Sequence, residues 1–531
     1  MSTPNTNQGH PKGLYLLFFT EMWERFSYYG MRAIFILFMT KALFMDKAAA
    51  SNIYGSYTGL VYLTPLLGGY ISDRFWGNRR SILVGGILMA IGQFLMFLSG
   101  STIGDAGQSA SAVSMMWAGL TFLIIGNGFF KPNISTMVGQ LYPKGDHRID
   151  GAFTIFYMGI NLGAFFSPLI CGGFGDTGNI HDFRYGFLAA CIGMVVSTIS
   201  FEFLKNKYLV NAEGESIGMP KAKMDSKTIF SILGSVALIF GLLNYRNIIT
   251  FFAGPDAILN PENLSAKLAG LDVIGYLIYA AGFVMAGIIF SDKSLTHEER
   301  QRISVIFILA FFVIFFWGCF EQAGASLTLF ADTQADRHIG SWEMPASWFQ
   351  SINPLGIIVL APMFTVFWNM LSKRKMEPSS PMKMAFGLVL VALGYVVIAY
   401  GVHGVDSQTK ISMWFLVSLY IIHTMGELCL SPIGLSMVSK LAPLRFSSLL
   451  MGTWFLANAM ANKFAGTLSA LIPPGAGEAA AKAGAVYPSF LGIEVNNLFT
   501  FFCVFIGLSG SAALILFGLY KWLEKRMHGV K

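Results

Sequence analysis

Glu21-Met22-Trp23-Glu24-Arg25-Phe26-Ser27-Tyr28-Tyr29-Gly30-Met31-Arg32 lies inside an apolar run from about Gly13 to Thr40. That run is long enough to cross a bilayer, which takes about 20 residues. Positions 21, 24, 25, 28, 29 and 32 follow helical spacing, so two carboxylates, two guanidinium groups and two tyrosines share one face. A charge at mid-bilayer costs about 2.5–3.5 kcal/mol on insertion scales. Four together are tolerated only if they pair or meet water. The stretch therefore reads as a helix lining a polar pathway inside a bundle.

The rest of the chain agrees. It has 531 residues, of which 54% are hydrophobic and only 12% charged, against about 25% charged in a soluble domain. This excludes an ordinary globular enzyme and predicts an all-α polytopic membrane protein. Met1–Lys12 is polar, and the run after it is too long and too charged for a cleavable signal segment. Fourteen spans are expected: 14–40, 52–73, 81–100, 113–139, 151–174, 185–205, 228–246, 270–291, 303–331, 347–370, 383–401, 411–439, 449–470 and 496–520.

With the N-terminus cytoplasmic, alternate loops divide the 36 Lys and Arg into 24 cytoplasmic and 8 on the far side, leaving 36 − 24 − 8 = 4 within spans: Arg25, Arg32, Lys131 and Lys463. The cell (inner) membrane is the expected location, and this bias predicts cytoplasmic termini. It also accounts for the net charge of +7 without nucleic acid. The cysteines, Cys171, Cys191, Cys319, Cys429 and Cys503, lack metal spacing and read as small buried hydrophobes. No metal or other cofactor is expected, and no obligate protein partner is evident. The expected organisation is a six-helix bundle over 1–205, a basic linker and inserted helix pair over 206–302, and a second six-helix bundle over 303–531. Gly69-Tyr70-Ile71-Ser72-Asp73-Arg74-Phe75-Trp76-Gly77-Asn78-Arg79-Arg80 resembles the loop signature of the major facilitator superfamily, whose two bundles rock about a midplane site.

Other spans add polar groups at membrane depth: Lys131 beside Pro132, Tyr157 and Asn161, Trp317 and Phe320 with Glu321, Asn353-Pro354, Glu427, and Trp454 with Asn458. Asn353 and Tyr157 are open to two readings, glue between helices or site residues. Lys463 reads as snorkelling to the far interface. Glu321, Glu427 and Lys131 read as functional, as intramembrane charges usually are. Glu21, Glu24, Glu321 and Glu427 outnumber Arg25, Arg32 and Lys131, so one carboxylate is left to hold a proton. Cations in the first half and Glu427 in the second fit a zwitterion, and a short peptide is the obvious one.

Glu21-x-x-Glu24-Arg25-Phe26-x-Tyr28-Tyr29-Gly30 and Phe156-Tyr157-x-x-Ile160-Asn161-x-Gly163 resemble the two signatures of the proton-coupled oligopeptide transporter family. The match continues through Lys131, Trp317, Glu321, Glu427 and Trp454. The resemblance implies proton-driven import of di- and tripeptides. It gives Arg32 and Lys131 the peptide carboxylate, and Glu427 the ammonium with Asn161 and Asn353. Tyr28, Tyr29, Tyr62 and Tyr157 would hydrogen-bond the peptide. Trp317, Phe320, Leu435 and Trp454 would line side-chain pockets. Proton coupling would fall to Glu21, Glu24, Arg25 and Glu321, with Lys131–Glu321 a proton-sensitive bridge.

Two departures stand out. Gly55 occupies the place of a histidine in animal members, and Asn458 that of a serine in some members, a ligand-side difference. A relative carrying nitrate or another small anion, or a peptide-like zwitterion, is the alternative; an anion needs no Glu427. A membrane enzyme is disfavoured, because no nucleophile sits with a paired base and no zinc motif occurs.

Overall fold

A computed structural model of the chain describes residues 9–104, 109–143, 145–219, 226–254, 263–406, 409–474 and 487–530, without the side chains of 228, 431–433, 435, 444 and 448. The helices, in order, are α1 (Lys12–Leu37), α2 (Lys47–Ile71), α3 (Gly77–Ser101), α4 (Ala110–Gln140), α5 (Ile149–Gly175), α6 (Phe183–Tyr208), α7 (Ser226–Ala253), α8 (Leu264–Ala269), α9 (Val273–Phe290), α10 (His297–Phe320), α11 (Ser326–Thr333), α12 (Ile352–Lys373), α13 (Ser380–Val402), α14 (Trp414–Leu441), α15 (Ser447–Ser469) and α16 (Leu498–Arg526). Strand pairs of two residues, such as Ala335–Asp336 with Ile411–Ser412, occur only in connections among the described residues. A helix satisfies its own backbone, which is why it dominates a chain this apolar. Among the described residues, ten stretches are long and apolar enough to cross a membrane, and the first of them, Lys47–Ser101, holds both α2 and α3.

Helices α1–α6 pack on one another, α1 against α5 and α6, and α3 against α4 and α6. Helices α10 and α12–α16 form a second bundle, in which α13 lies against α14 and α16. Small residues set the closest approaches. A Cβ on Gly126 would sit 2.7 Å from the Gly85 carbonyl oxygen, so α3 and α4 touch backbone to backbone. The turn after α2 is tight: Gly77, at φ 69°, starts α3 directly. Arg79 is buried there, donating to the Asn206 side chain at 3.0 Å and to the Leu209 carbonyl beyond α6.

The expected span 303–331 is not one helix. It breaks at a 3-10 turn, Glu321–Gly324, followed by Ala325 at φ −128°, ψ −103°. A side chain at Gly324 would collide with the Tyr54 hydroxyl, so glycine is what lets α2 approach the break. The carbonyls freed by the break find donors: Tyr395 hydroxyl to Cys319 at 2.6 Å and Tyr420 hydroxyl to Ala323 at 3.3 Å.

The bundles meet along two seams, α2 against α15, and α5 against α12 with the turn before it. On the side away from the chain termini the seams are closed. Lys41 pairs with Asp332 at 2.5 Å, Ser51 with Ser469 at 2.9 Å, and Asp176 accepts from the Ser347 backbone N–H at 3.1 Å. The inserted pair forms a hairpin outside the bundles. α7 lies on α4, and α9 lies on α2 and α15.

Lys463 does not snorkel. It is 1% exposed and spans the α2·α15 seam, 3.0 Å from Ser56 Oγ and 3.0 Å from Asp272 Oδ2 at the start of α9. Its counter-charge comes from the hairpin, which sequence spacing could not reveal.

Candidate functional site

The helical period of α1 turns its polar face into the bundle, burying Glu21, Glu24, Arg25, Tyr28 and Arg32. Arg25 Nε lies 2.6 Å from Glu21 Oε1 and 2.9 Å from Glu24 Oε2, and Asn127 donates to Glu24 Oε1 at 3.1 Å. Two carboxylates thus share one guanidinium and one amide. Glu21 Oε2 receives no hydrogen bond among the described residues. Two turns on, Arg32 donates Nη2 to Glu321 Oε2 and Nε to the Tyr54 hydroxyl at 2.5 Å.

The expected Lys131–Glu321 bridge is therefore replaced. Glu321, at the break after α10, is held by Arg32. Lys131 instead places Nζ 4.0 Å from the ring centroid of Tyr62, a cation–π contact. Glu321 sits at the very end of α10, its N–H still bonded to the Trp317 carbonyl, and the chain departs from the helix only beyond it.

Opposite stands α14. Glu427 Oε2 accepts from Asn353 Nδ2 at 2.8 Å, and the same amide donates to Thr424 Oγ1 at 3.1 Å. Asn161 Nδ2 donates to the Tyr157 carbonyl at 2.9 Å. Between the two walls lies a cavity of about 260 Å³. Of the residues expected at the site, Arg32, Glu321, Tyr29, Tyr62, Tyr157, Asn161, Trp317, Phe320, Asn353, Glu427 and Asn458 line it.

Others do not line it. Tyr28 is buried against Tyr29 and Tyr57, with centroids 5.1 and 6.5 Å away. Trp454 is buried where Gly434 makes room for its ring, and its neighbour Phe455 reaches the cavity. Glu21, Glu24, Arg25 and Lys131 are likewise not on the wall. Leu435 lies outside the described side chains.

The structure adds Gln350, Tyr420, His423, Phe455 and Asn462 to the wall. Tyr420, His423 and Glu427 follow i, i+3, i+7 spacing, so one face of α14 supplies all three. His423 carried a legible signal, an ionisable side chain inside an apolar span. Among the described residues no group of His, Cys, Asp and Glu is arranged to hold a metal.

Two helical bundles, a broken helix and one polar cavity between them define a membrane transporter of the major facilitator type. The chain belongs to the POT family, whose sequence profile matches residues 79–483. It is 36% identical over 474 residues to the peptide transporter YePEPT of Yersinia enterocolitica, covering 87% of this chain and 88% of that one. It is 34% identical over 471 residues to a di-/tripeptide transporter of Lactococcus lactis, covering 86% and 88%. A crystal structure of a peptide transporter POT in complex with sulfate superimposes with a TM-score of 0.79 at 32% identity, over 99% of this chain and 97% of that one.

Proposed function

We propose that this chain is a proton-coupled symporter importing di- and tripeptides by alternating access. One observation carries the reading. The cavity has a guanidinium, Arg32, on one wall and a carboxylate held by an amide, Glu427 with Asn353, on the other. A zwitterion of peptide length complements both. The names of the relatives from Yersinia and Lactococcus support the substrate class. A nitrate carrier would have no use for Glu427.

Coupling follows from the pairing of Arg32 with Glu321. A peptide carboxylate competes for the same guanidinium. Glu321, displaced from its cation, then takes up a proton because its charged form is no longer compensated. The crowded pair Glu21 and Glu24 around Arg25 is a second place for a proton. Lys131, near both clusters, assists the peptide carboxylate once it leaves Tyr62. The two bundles, 1–205 and 303–531, rock about the cavity while 206–302 stays on the periphery. With both termini in the cytoplasm of a cell whose inner membrane holds the protein, the sealed end faces outward.

Uptake of a labelled dipeptide into proteoliposomes, with and without an inward proton gradient, tests this. Accumulation above equilibrium only with the gradient is expected. Uptake indifferent to the gradient removes the coupling, and nitrate competing better than dipeptide removes the substrate class.

A further inference from the structure

His423 belongs to the cavity wall but to neither charged cluster. Its ring is 2% exposed and stacks on Phe320, centroids 5.9 Å apart at 29°, with Tyr395 edge-on at 4.9 Å. Nε2 lies 3.1 Å from the Val391 carbonyl oxygen on α13. A carbonyl only accepts, so Nε2 carries the proton, and in the neutral ring Nδ1 is then an acceptor.

The direction of Nδ1 follows from α13. A Cβ on Gly394 would sit 2.5 Å from His423 Cδ2 and 2.6 Å from Nε2. The Cδ2–Nε2 edge therefore presses on α13, and only glycine leaves it room. In a five-membered ring the atom opposite that edge is Nδ1. It points away from α13, on a ring that lines the cavity. Among the described residues nothing donates to it, and Glu427, one turn on, turns to Asn353 instead. The ring cannot rotate to change this, because Phe320 and Tyr395 flank it and Tyr395 is itself tied to the Cys319 carbonyl at 2.6 Å.

We infer that His423 is a specificity-determining residue: a fixed neutral acceptor in the aromatic wall formed with Trp317 and Phe320, selecting ligands whose side chain carries an O–H or N–H donor over apolar ligands of the same shape. This rests on the peptide reading of the cavity and adds a side-chain rule to it. A buried acceptor left without a donor is costly, whereas a donor that reaches it gains a neutral hydrogen bond. The isosteric pair threonine and valine isolates that difference, and tyrosine and phenylalanine give a second pair.

The test is competition of Ala-Thr against Ala-Val, and of Ala-Tyr against Ala-Phe, for uptake of a labelled dipeptide in proteoliposomes. The donor-bearing member of at least one pair should compete better by roughly three- to tenfold in the unaltered protein. His423→Leu should bring that ratio to one. His423→Gln, which offers an acceptor and a donor again, should restore part of it. If the unaltered protein shows ratios of one for both pairs, the inference is overturned whether or not the variants fold. Ratios that survive His423→Leu overturn it as well. If no dipeptide competes at all, the peptide reading falls and takes this inference with it.

Discussion

Replacing Gly55 by alanine should unseal the closed end without unfolding either bundle. A Cβ on Gly55 would lie 2.7 Å from Gly466 Cα, 3.0 Å from Gly466 N and 3.1 Å from the Lys463 carbonyl oxygen. Carbon contacts are comfortable at about 3.5–4.0 Å, so α2 and α15 must separate by about 1 Å. The atoms in the way are backbone and cannot swing aside. Overpacking of this kind costs about 1–3 kcal/mol. The two helices belong to different bundles, so the cost falls on the sealed conformation and not on the bundles themselves. It should shift the balance between closed and open ends by roughly 5- to 150-fold. Maleimide labelling of Ser469→Cys, a buried seam position, reads that shift as a rate in a background with Cys503→Ser, since the other cysteines are buried. Gly92→Ala is the control. Its Cβ would meet Leu123 Cγ at 2.8 Å and the Gly119 carbonyl oxygen at 2.9 Å, inside one bundle, so it should lower the melting temperature and leave labelling unchanged. Equal labelling rates for Gly55→Ala and the parent, with the protein folded, would refute the reasoning.

Asp272→Asn should leave the Lys463 ammonium without its carboxylate and destabilise the protein by about 1–2 kcal/mol, the half-exposed acid being partly screened. Lys463→Met with Asp272→Asn should recover most of this, and a double-mutant cycle of thermal melts in detergent measures the coupling. Arg32→Lys keeps the charge but loses the fork that serves Glu321 and Tyr54 together; dipeptide affinity should fall about tenfold or more, whereas an unchanged competition curve would free Arg32 from any substrate role. Asp176, at the end of α5, has its carboxyl pushed above the ordinary range by burial, although Lys41, Arg337 and the Ser347 N–H oppose this and Asp332 adds to it. Opening the end would hydrate Asp176 and return it to ordinary acidity, so the closed form binds the proton more tightly. Acidification through that raised range should therefore slow labelling of the seam cysteine, and Asp176→Asn should flatten the dependence.

The polar face of α1 was legible because six residues at one helical spacing leave little choice about which way they point. The spans were legible from apolar length, and the inserted pair from its lack of buried acids. The break at Glu321–Gly324 was hidden, because what packs against it, the Tyr54 hydroxyl at Gly324, comes from another helix. The pairing of Glu321 with Arg32 and not Lys131 was hidden likewise, because it joins side chains 289 residues apart. Lys463 was misread for the same reason: Asp272 is far away in sequence and belongs to a segment that looked peripheral. Gly55 could be noted only as an absent histidine, whereas the structure shows that its position has no space for any side chain in the sealed form.

The hairpin makes the molecule lopsided toward its solvent. α9 lies along the α2·α15 seam, whereas its outward residues Tyr276 and Phe283 and the α7 residues Phe251 and Phe252 are exposed, as surfaces meant for acyl chains are. Among the described residues no further helix lies over the α5·α12 flank, whereas α9 covers the other. Lateral pressure in the bilayer then bears on two unlike edges, one bare and one taped like the spine of a book. Wedge-shaped or short-chain lipids should change the opening of the bare edge first. Moving or deleting the hairpin should therefore change which edge responds.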